Sequence, residues 1–457
     1  MATVGLNFGS ASSGTGFDVT TTVSSILAIE SAIESPWKAQ LTSLQAQDTA
    51  LSALGTNLSN LSTAVSVLTN FDGVLASKQG SSSDTNVLTL SAASSAAIAG
   101  SHTITVNSLA ATSSKYSDRV MNKSDALSGS LSIGIGAGAS QTITLDAETN
   151  TLAGLATKIN NGAYGVTASV VTDTLGSRLS LVSNASGAAG EISLNSNLND
   201  DTTASSVGFA TGQTGADAQL TVDGLSTTSA SNTVTGAIPG VTFQLLSASV
   251  GTPVQVQITN DNASVGTAVQ SMVTAYNATV SSIKVQEGKD STGKAQPLFG
   301  DSTLALLQNG LAAGMLGGAG TGTNTGISSI TQLGLTLGVD GKLTLDASKF
   351  NSALNTHFAD VVGFFQNSGG FGLSLSDSLN SMGSVSTKGA VYLALQQNST
   401  QETGINGNIT AEDARVAIDK TRLTAELNLA NQIMQSIPQQ LAEVDQMYAA
   451  TTGYNTK

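Results

Sequence analysis

The chain has 457 residues, no cysteine and a formal net charge of −14. The lack of cysteine excludes disulfides, thiolate nucleophiles and cysteine metal sites, and the negative charge argues against nucleic acid or an anionic membrane as the partner. Charged residues make up only 11% of the chain, against about a quarter in ordinary globular proteins, and the length suggests about two to four domains.

The N-terminal part carries a heptad pattern that begins at Asp18. Asp18 is placed to cap a first helix, while Ser35 and Pro36 predict the N-cap and first turn of a second, so we expect two helices that meet at a joint. The a and d positions predict a coiled-coil seam. We assign to this seam Val23, Ile26, Ile33, Leu44, Leu51, Leu54, Leu58, Leu61, Val65 and Leu68.

The middle of the chain changes to a hydrophobic period of two, which is typical of half-buried strands. Val254, Val256 and Ile258 show the alternation clearly. Turn signals such as Asp223 followed by Gly224 separate the strands and favour antiparallel β domains. Residues 151–161 are the exception, because their apolar residues share one helical face.

Helical spacing returns after residue 260. We predict helices over 269–283, from 304 to 311 and over 350–365, the last capped by Asp346, and we expect them to bundle with residues 36–70. Asp340 and Gly341 predict a two-residue hairpin turn between two short strands.

A second heptad pattern occupies the C-terminal end, over residues 416–448. Pro438 predicts a bend, because it cannot donate to the carbonyl of Met434. The two patterned ends predict a stalk formed by both ends of the chain. We assign to the C-terminal seam Leu423, Leu427, Met434, Ile437, Leu441 and Val444.

Two glycine-rich segments invite a nucleotide-binding interpretation that their context does not support. Residues 288–294 have the spacing of a phosphate-binding loop, but Ala295 replaces the magnesium-binding hydroxyl residue and Pro297 follows where a helix should begin. Gly134, Gly136 and Gly138 precede a strand pattern, which favours a glycine-rich hairpin.

The remaining candidates for chemistry are the two histidines and two groups of acidic residues. His102 and His357 lie in a strand pattern and a helical pattern, with no ligand or base at a fixed spacing. Residues 199–201 and the neighbourhood of Asp261 lack the spacing of a calcium loop and predict solvated turns. We therefore predict no catalytic residue, cofactor or metal site, and no enzyme.

Seven segments, in order along the chain, resemble the flagellar cap protein family, also called hook-associated protein 2. Residues 151–183 also resemble a short module found inside flagellins and hook-associated proteins. The seven segments are GTGFDVTTTVSSIL (14–27), AIAGSHTITVNSLA (97–110), ADAQLTVDG (216–224), SNTVTGAIPGVTFQLL (231–246), VQSMVTAYNATVSSI (269–283), PLFGDSTLALL (297–307) and LGVDGKLTLDASKF (337–350).

The resemblance implies an α+β multidomain fold with a terminal coiled-coil and helical-bundle stalk and inserted antiparallel β-rich head domains. The expected division has four parts: terminal leg helices at 1–35 and 421–457, a helical-bundle stalk domain at 36–80 and 262–420, a β-rich plate domain at 81–127 and 211–261, and an α+β head domain at 128–210.

The resemblance also implies the function of a filament cap. Such a protein forms a homo-oligomeric ring, a pentamer or hexamer, at the filament tip, where it promotes the folding and insertion of exported flagellin and prevents its leakage. The implied partners are flagellin, the flagellar type III export apparatus and an export chaperone, with no nucleic acid and no membrane. Export by this route explains why no standard secretory signal is found.

Three other functions stay open at this point. Serine- and threonine-rich β domains also suit a surface adhesin, and a flagellin or hook-filament junction protein shares the heptad ends and the internal module. A glycan-active enzyme is the third, although paired carboxylates in a recognisable setting are missing.

Overall fold

The structure is a computed structural model, which describes residues 15–316, 326–383 and 388–453. The predicted leg segments include residues 1–14 and 454–457, and the predicted bundle includes 317–325 and 384–387, all of which lie outside the described residues. The described ranges contain nine α-helices: α1 (Val19–Glu30), α2 (Glu34–Thr69), α3 (Leu152–Asn161), α4 (Asn262–Gln286), α5 (Ser302–Leu316), α6 (Ala347–Thr356), α7 (Phe358–Gln366), α8 (Phe371–Met382) and α9 (Ala390–Thr452).

Eighteen β-strands lie in the same ranges, and all strands that are hydrogen-bonded neighbours run antiparallel. The strands are β1 (Lys78–Ser82), β2 (Leu88–Ala93), β3 (Gly100–Ser108), β4 (Thr112–Ser117), β5 (Leu127–Ile135), β6 (Gln141–Thr144), β7 (Val166–Asp173), β8 (Gly176–Ser186), β9 (Ile192–Asp200), β10 (Ser205–Val207), β11 (Phe209–Gln213), β12 (Ala218–Val222), β13 (Leu225–Ser229), β14 (Thr233–Ile238), β15 (Val241–Leu245), β16 (Val254–Asn260), β17 (Leu335–Leu337) and β18 (Leu343–Leu345).

The chain divides into two compact units. One comprises residues 1–69 and 266–457, and the other comprises residues 70–265. In the described residues the first unit holds α1, α2 and α5 to α9 with most of α4, and its two strands are β17 and β18. The second unit holds β1 to β16, α3 and the first residues of α4. This arrangement confirms the predicted α+β fold, in which antiparallel β domains are inserted between helical ends of the chain.

The first unit is built around α2, a helix of 36 residues. Its apolar residues recur at intervals of three and four, so they form one stripe, and this stripe packs against α8 and α9. Burial of each leucine in such a stripe contributes roughly 1.5–3 kcal/mol. A second apolar centre lies where α7 meets α8, because the rings of Phe364 and Phe371 stack with centroids 5.0 Å apart.

The prediction of one helix over 350–365 was wrong, because the chain forms α6 and α7 with a break at His357. His357 has φ −138° and ψ 40°, outside the helical region. The break is formed by three polar residues, Asn355, Thr356 and His357. Polar side chains of this kind can hydrogen-bond to the nearby backbone and so compete with the hydrogen bonds of the helix. Thr356 donates its hydroxyl to the Ser352 carbonyl at 2.7 Å.

Two local boundaries also differ from the prediction. The joint after α1 is a short 3-10 turn at Ser31–Ile33, and α2 begins at Glu34, so Ser35 lies within the first turn and is not the N-cap. The β17–β18 connection has five residues, 338–342, because Leu337 and Leu343 form the last pair. Gly341, at φ 74°, supplies the left-handed residue that closes this longer loop.

The second unit contains two hydrophobic cores. The first lies between a five-stranded sheet, in the order β1-β16-β3-β12-β13, and a three-stranded sheet, β14-β15-β2. The predicted alternation is confirmed here, because Val254, Val256 and Ile258 are all buried. Asp223 and Gly224, at φ 50° and 85°, form the two-residue turn between β12 and β13.

The second core lies among two four-stranded sheets and α3. The sheets have the orders β10-β9-β5-β6 and β11-β4-β8-β7. The predicted helix is confirmed as α3, since Thr151 caps it and Leu152, Leu155 and Ile159 are fully buried. The predicted glycine-rich hairpin is also present, because β5 pairs with β6 on either side of Gly136 and Gly138.

Candidate assembly surface

The N-terminal helix packs along the middle of the C-terminal helix. Val19, Val23 and Leu27 of α1 are buried and form a separate small core. Their partners on α9 are Val416, Leu423 and Leu427, which are only half-buried. The two ends of the chain are therefore held together by a narrow apolar contact.

Two polar contacts fix the start of α1. Asp18 caps the helix by accepting the Thr21 amide at 3.1 Å, as the sequence predicted. The amide of Phe17 donates to the Asn431 Oδ1 atom of α9 at 2.8 Å. The pKa of Asp18 is lowered, chiefly by the hydrogen bond from the Thr21 hydroxyl. Asn431 was not among the predicted residues, because no local sequence signal links it to a residue at the other end of the chain.

The joint between α1 and α2 is rich in carboxylates. The side chain of Glu34 is only 3% exposed, and its Oε2 atom pairs with the Lys38 ammonium at 2.6 Å. The Oε1 atom of Glu34 and the Oε2 atom of Glu30 are buried without a hydrogen-bond partner among the described residues. Nearby on α9, Arg415 pairs with Glu412, and this hydrogen bond raises the pKa of Arg415. Unpaired buried oxygens of this kind reduce stability.

The predicted seam residues of α2 lie inside the chain's own helical bundle. All of them from residue 44 onward are buried: Leu44, Leu51, Leu54, Leu58, Leu61, Val65 and Leu68. The three earlier seam residues differ, since Val23 is buried, Ile26 is half-buried and Ile33 is exposed. Contacts within one chain therefore account for most of the N-terminal seam, and they leave only Ile26 and Ile33 available to another molecule.

The predicted seam residues of α9 become more exposed toward its C-terminal end. Leu423, Leu427, Met434 and Ile437 are half-buried, whereas Leu441 and Val444 are exposed. The helix continues through Pro438 to Thr452. The exposed large apolar residues of α9 that follow Arg415 are Ile418, Leu429, Ile433, Leu441, Val444, Met447 and Tyr448. Sequence periodicity alone missed Leu429, Ile433 and Met447, because they lie outside the heptad seam.

The loop with phosphate-loop spacing is already satisfied internally. Lys289 and Ala295 form a bridge that closes residues 288–294 into a small hairpin. The Asp290 carboxylate accepts the amides of Thr292 and Lys294 at 2.9 Å each. Because a carboxylate of the same loop occupies these donors, they do not form a cradle for a phosphate.

The histidines and acidic groups have structural contacts. The His102 Nδ1 atom lies 2.7 Å from Asp223, and this hydrogen bond lowers the pKa of the Asp223 carboxyl. Asp200 accepts the Thr202 amide, and Asp261 accepts the Ser264 amide at the start of α4. Within the described ranges, acidic residues and histidines form no cluster suited to a metal ion. None of the helices in those ranges has the length and hydrophobicity that a membrane span requires.

Comparison with family models gives two matches. The model described as "Flagellar hook-associated protein 2 N-terminus" matches residues 15–113, and the model described as "Flagellar hook-associated protein 2 C-terminus" matches residues 215–439. Together they include α1 and most of α9, the two elements that form the narrow apolar contact.

Curated relatives give the same result along most of the chain. The B-type flagellar hook-associated protein 2 of Pseudomonas aeruginosa is 29% identical over 389 residues, which cover 79% of this chain and 80% of the relative. The flagellar hook-associated protein 2 of Escherichia coli is 27% identical over 449 residues, which cover 93% of this chain and 94% of the relative.

A solved structure shares the architecture. The crystal structure of the flagellar cap protein FliD D1-D2-D3 domains from Escherichia coli superposes with a TM-score of 0.61 at 27% identity. The match covers 77% of this chain and 99% of the solved chain.

Proposed function

Because the chain belongs to the FliD family of flagellar hook-associated protein 2, we propose that it forms an oligomeric ring at the filament tip, promotes folding and insertion of exported flagellin and prevents its leakage. Family membership places the protein at the flagellum, as an exported filament cap. The family is one of structural cap proteins. The work proposed is steric and needs no active site.

The observation that carries this proposal is the exposed apolar surface at the far end of α9. Ile433, Val444 and Met447 are each more than half exposed. Residues 427–453 contain only two charged side chains, Glu443 and Asp445. A long helix with so many exposed apolar residues and so few charges is unfavourable in water on its own. We therefore propose that this end of α9 is the leg that contacts filament subunits.

The narrow contact between α1 and α9 suits a leg that must change its contacts as each flagellin is added. Its α9 side chains are half-buried, so each contributes less than a fully buried residue. The partly unpaired carboxylates at the joint weaken the attachment further. We propose that these features let the leg shift at modest energetic cost while the ring stays assembled.

We propose three further features of this cap. They are the pentameric or hexameric ring, export through the type III apparatus with a chaperone, and the division into legs at 1–35 and 421–457, stalk at 36–80 and 262–420, plate at 81–127 and 211–261 and head at 128–210. The two cores within residues 70–265 support a separate plate and head.

The function is tested by deletion of the gene. The measurement is the partition of flagellin between filaments on the cells and monomer in the culture medium. We expect short or missing filaments and abundant monomer, with filaments restored when purified protein is added. Normal filaments in the deletion strain would reject the cap function and leave the adhesin alternative.

A further inference from the structure

Strand β7 has an open backbone edge over its second half. It is the outermost strand of the sheet β11-β4-β8-β7. Asn160 of α3 donates to the Ala168 carbonyl at 2.7 Å and accepts the Ala168 amide at 2.8 Å. The backbone groups of Ala168 therefore point away from β8. Because this direction alternates along a strand, those of Val170 and Thr172 point the same way.

The side chain of Val170 is half-buried and that of Thr172 is exposed, but the outward backbone groups of both stay open. Asn160 protects Ala168 only, and no hydrogen bond to another element is present at the backbone of Val170 or Thr172. Neighbouring Val171 is 57% exposed. Natural proteins usually protect such edges with charged residues, proline or a bulge. Residues 166–172 contain none of these, and the one charge of β7, Asp173 at its end, is paired with Arg119. The exposed half of β7 is thus a template for another strand.

Strand β13 offers a second open edge with a matching pattern. It is the outermost strand of the sheet β1-β16-β3-β12-β13. The two-residue turn makes Val222 and Leu225 a hydrogen-bonded pair. By alternation Thr227 also faces β12, whereas the backbone groups of Ser226 and Thr228 point outward. This strand is uncharged as well, and its Leu225 is 74% exposed.

We propose that β7 of one copy pairs with β13 of the next copy in the ring. The strands run antiparallel, with Val170 opposite Thr228 and Thr172 opposite Ser226. In this register the four residues whose backbone groups point outward face one another in two pairs, and each pair forms two backbone hydrogen bonds. Val171 then lies opposite Thr227 and loses its exposure to water.

Charge and symmetry both favour a second copy as the occupant. Each copy has a net charge of −14, so two copies meet with least repulsion at segments without charge, and residues 170–172 and 226–228 carry none. The contact joins two different edges of the chain, and such a head-to-tail contact generates a ring when its rotation closes. Pairing of β7 with β7 would instead stop at a two-fold dimer. The inference rests on the proposed cap function, which requires a ring.

Cysteine cross-linking of the full-length chain tests the register. The chain has no cysteine of its own, and a non-hydrogen-bonded antiparallel pair has Cα atoms about 4.5 Å apart, within the range of a disulfide. We expect Val171→Cys combined with Thr227→Cys to form a ladder of covalent oligomers under mild oxidation. Each single variant should not form one.

The matched control combines Val171→Cys with Ser226→Cys. This one-residue shift turns the second thiol to the opposite face of β13, so we expect no ladder. An equal ladder in the control would overturn the proposed register. Dimers from Val171→Cys alone would show that β7 pairs with itself and would overturn the β13 assignment.

A charge variant tests whether the contact supports the ring. Thr228→Lys places a charge on the β13 edge without changing its pairing to β12. Thr157→Lys places the same charge on the exposed surface of α3. Ring formation is followed by light scattering and electron microscopy, and folding by circular dichroism. We expect at least about tenfold weaker self-association for Thr228→Lys, or roughly 1.4 kcal/mol, and unchanged rings for the control.

The outcomes separate this inference from the cap function. Folded Thr228→Lys protein that forms normal rings would overturn the strand pairing while the cap function stands. A wild-type protein that stays monomeric, in a strain whose filaments do not need it, would overturn both.

Discussion

The position of the start of α1 depends on a single glycine that lies beside a single asparagine. Gly16 has φ 65°, and a Cβ added there would lie 2.1 Å from Asn431 Oδ1, the atom that accepts the Phe17 amide. Neither the left-handed backbone nor the space between the helices suits a larger residue. The contact therefore positions the start of α1 on α9.

We predict that Gly16→Ala loosens this end of α1. The added methyl group should displace the Asn431 side chain and break its bond to Phe17, so the amides of residues 17–27 should exchange about tenfold faster or more, the equivalent of roughly 1.4 kcal/mol. Hydrogen exchange with mass spectrometry measures this. Gly293→Ala is the control, because Gly293 has φ 83° with nothing within 4 Å of an added Cβ. Unchanged exchange in Gly16→Ala would contradict the positioning role.

A second residue-scale contact makes stability depend on pH. Lys115 donates to the Glu191 Oε1 atom at 2.8 Å, and this hydrogen bond is the main cause that lowers the pKa of Glu191. A carboxyl whose pKa is lower in the folded state stabilises the fold above its unfolded pKa, near 4.3. That stabilisation is lost as the pH falls from there through the folded pKa.

Lys115→Met should therefore reduce the free energy of unfolding by about 1 kcal/mol at pH 7. The difference from wild type should shrink as the pH falls below about 4. Denaturant titrations at several pH values give this profile. Arg119→Met, at the more exposed pair with Asp173, should have a smaller effect. If Lys115→Met lowered the free energy of unfolding by the same amount at every pH, the Lys115 side chain would contribute through packing only and the ion pair with Glu191 would be ruled out as the cause.

Local residue signals were predictable from the sequence, whereas distant ones were not. Asp18 and Asp346 cap helices as predicted, because a cap depends on only three or four neighbouring residues. The contacts of Asn431 with Phe17 and of Asn160 with Ala168 depend on how elements pack. No pattern within a short window carries that information.

At the scale of elements, α2 and α9 show how far a hydrophobic pattern determines a helix. The stripe of α2 is continuous and predicted the helix, its face and its length. The helix α9 has 63 residues and begins at Ala390, but its first part is polar and contains Gly404 and Gly407. Heptad spacing therefore showed only the part after residue 416. Contacts with α2, including the 2.7 Å bond from Asn398 to Asp48, support the rest.

We predict that two side-chain truncations within α2 differ strongly in their effect on the free energy of unfolding. Leu58 is 1% exposed and Val67 is 42% exposed. Leu58→Ala should lower the free energy of unfolding by about 2–5 kcal/mol, because it leaves a cavity in the bundle, whereas Val67→Ala should change it by less than about 1 kcal/mol. Chemical denaturation measures both. Similar small losses for the two variants would contradict the assignment of Leu58 to the bundle core.

At the scale of the whole molecule, two similar heptad patterns have different environments. The pattern over residues 44–68 is covered by the chain's own helices, while the apolar residues of α9 between 429 and 448 are largely exposed. Periodicity reveals that a helix has an apolar face, but it does not reveal which molecule covers that face. The sequence therefore predicted the α+β fold and the family, and only the structure separates intramolecular core from surface available for assembly.

We propose above that the exposed end of α9 is the leg that engages the filament. This role is tested by adding purified protein back to the deletion strain and measuring the fraction of flagellin in filaments. Wild type and the control Gln432→Glu with Gln446→Glu should restore filaments. Ile433→Glu with Met447→Glu should fold normally yet restore at least about tenfold less, because a carboxylate buried in an apolar contact costs more than roughly 1.4 kcal/mol. Equal restoration by this variant would contradict the claim.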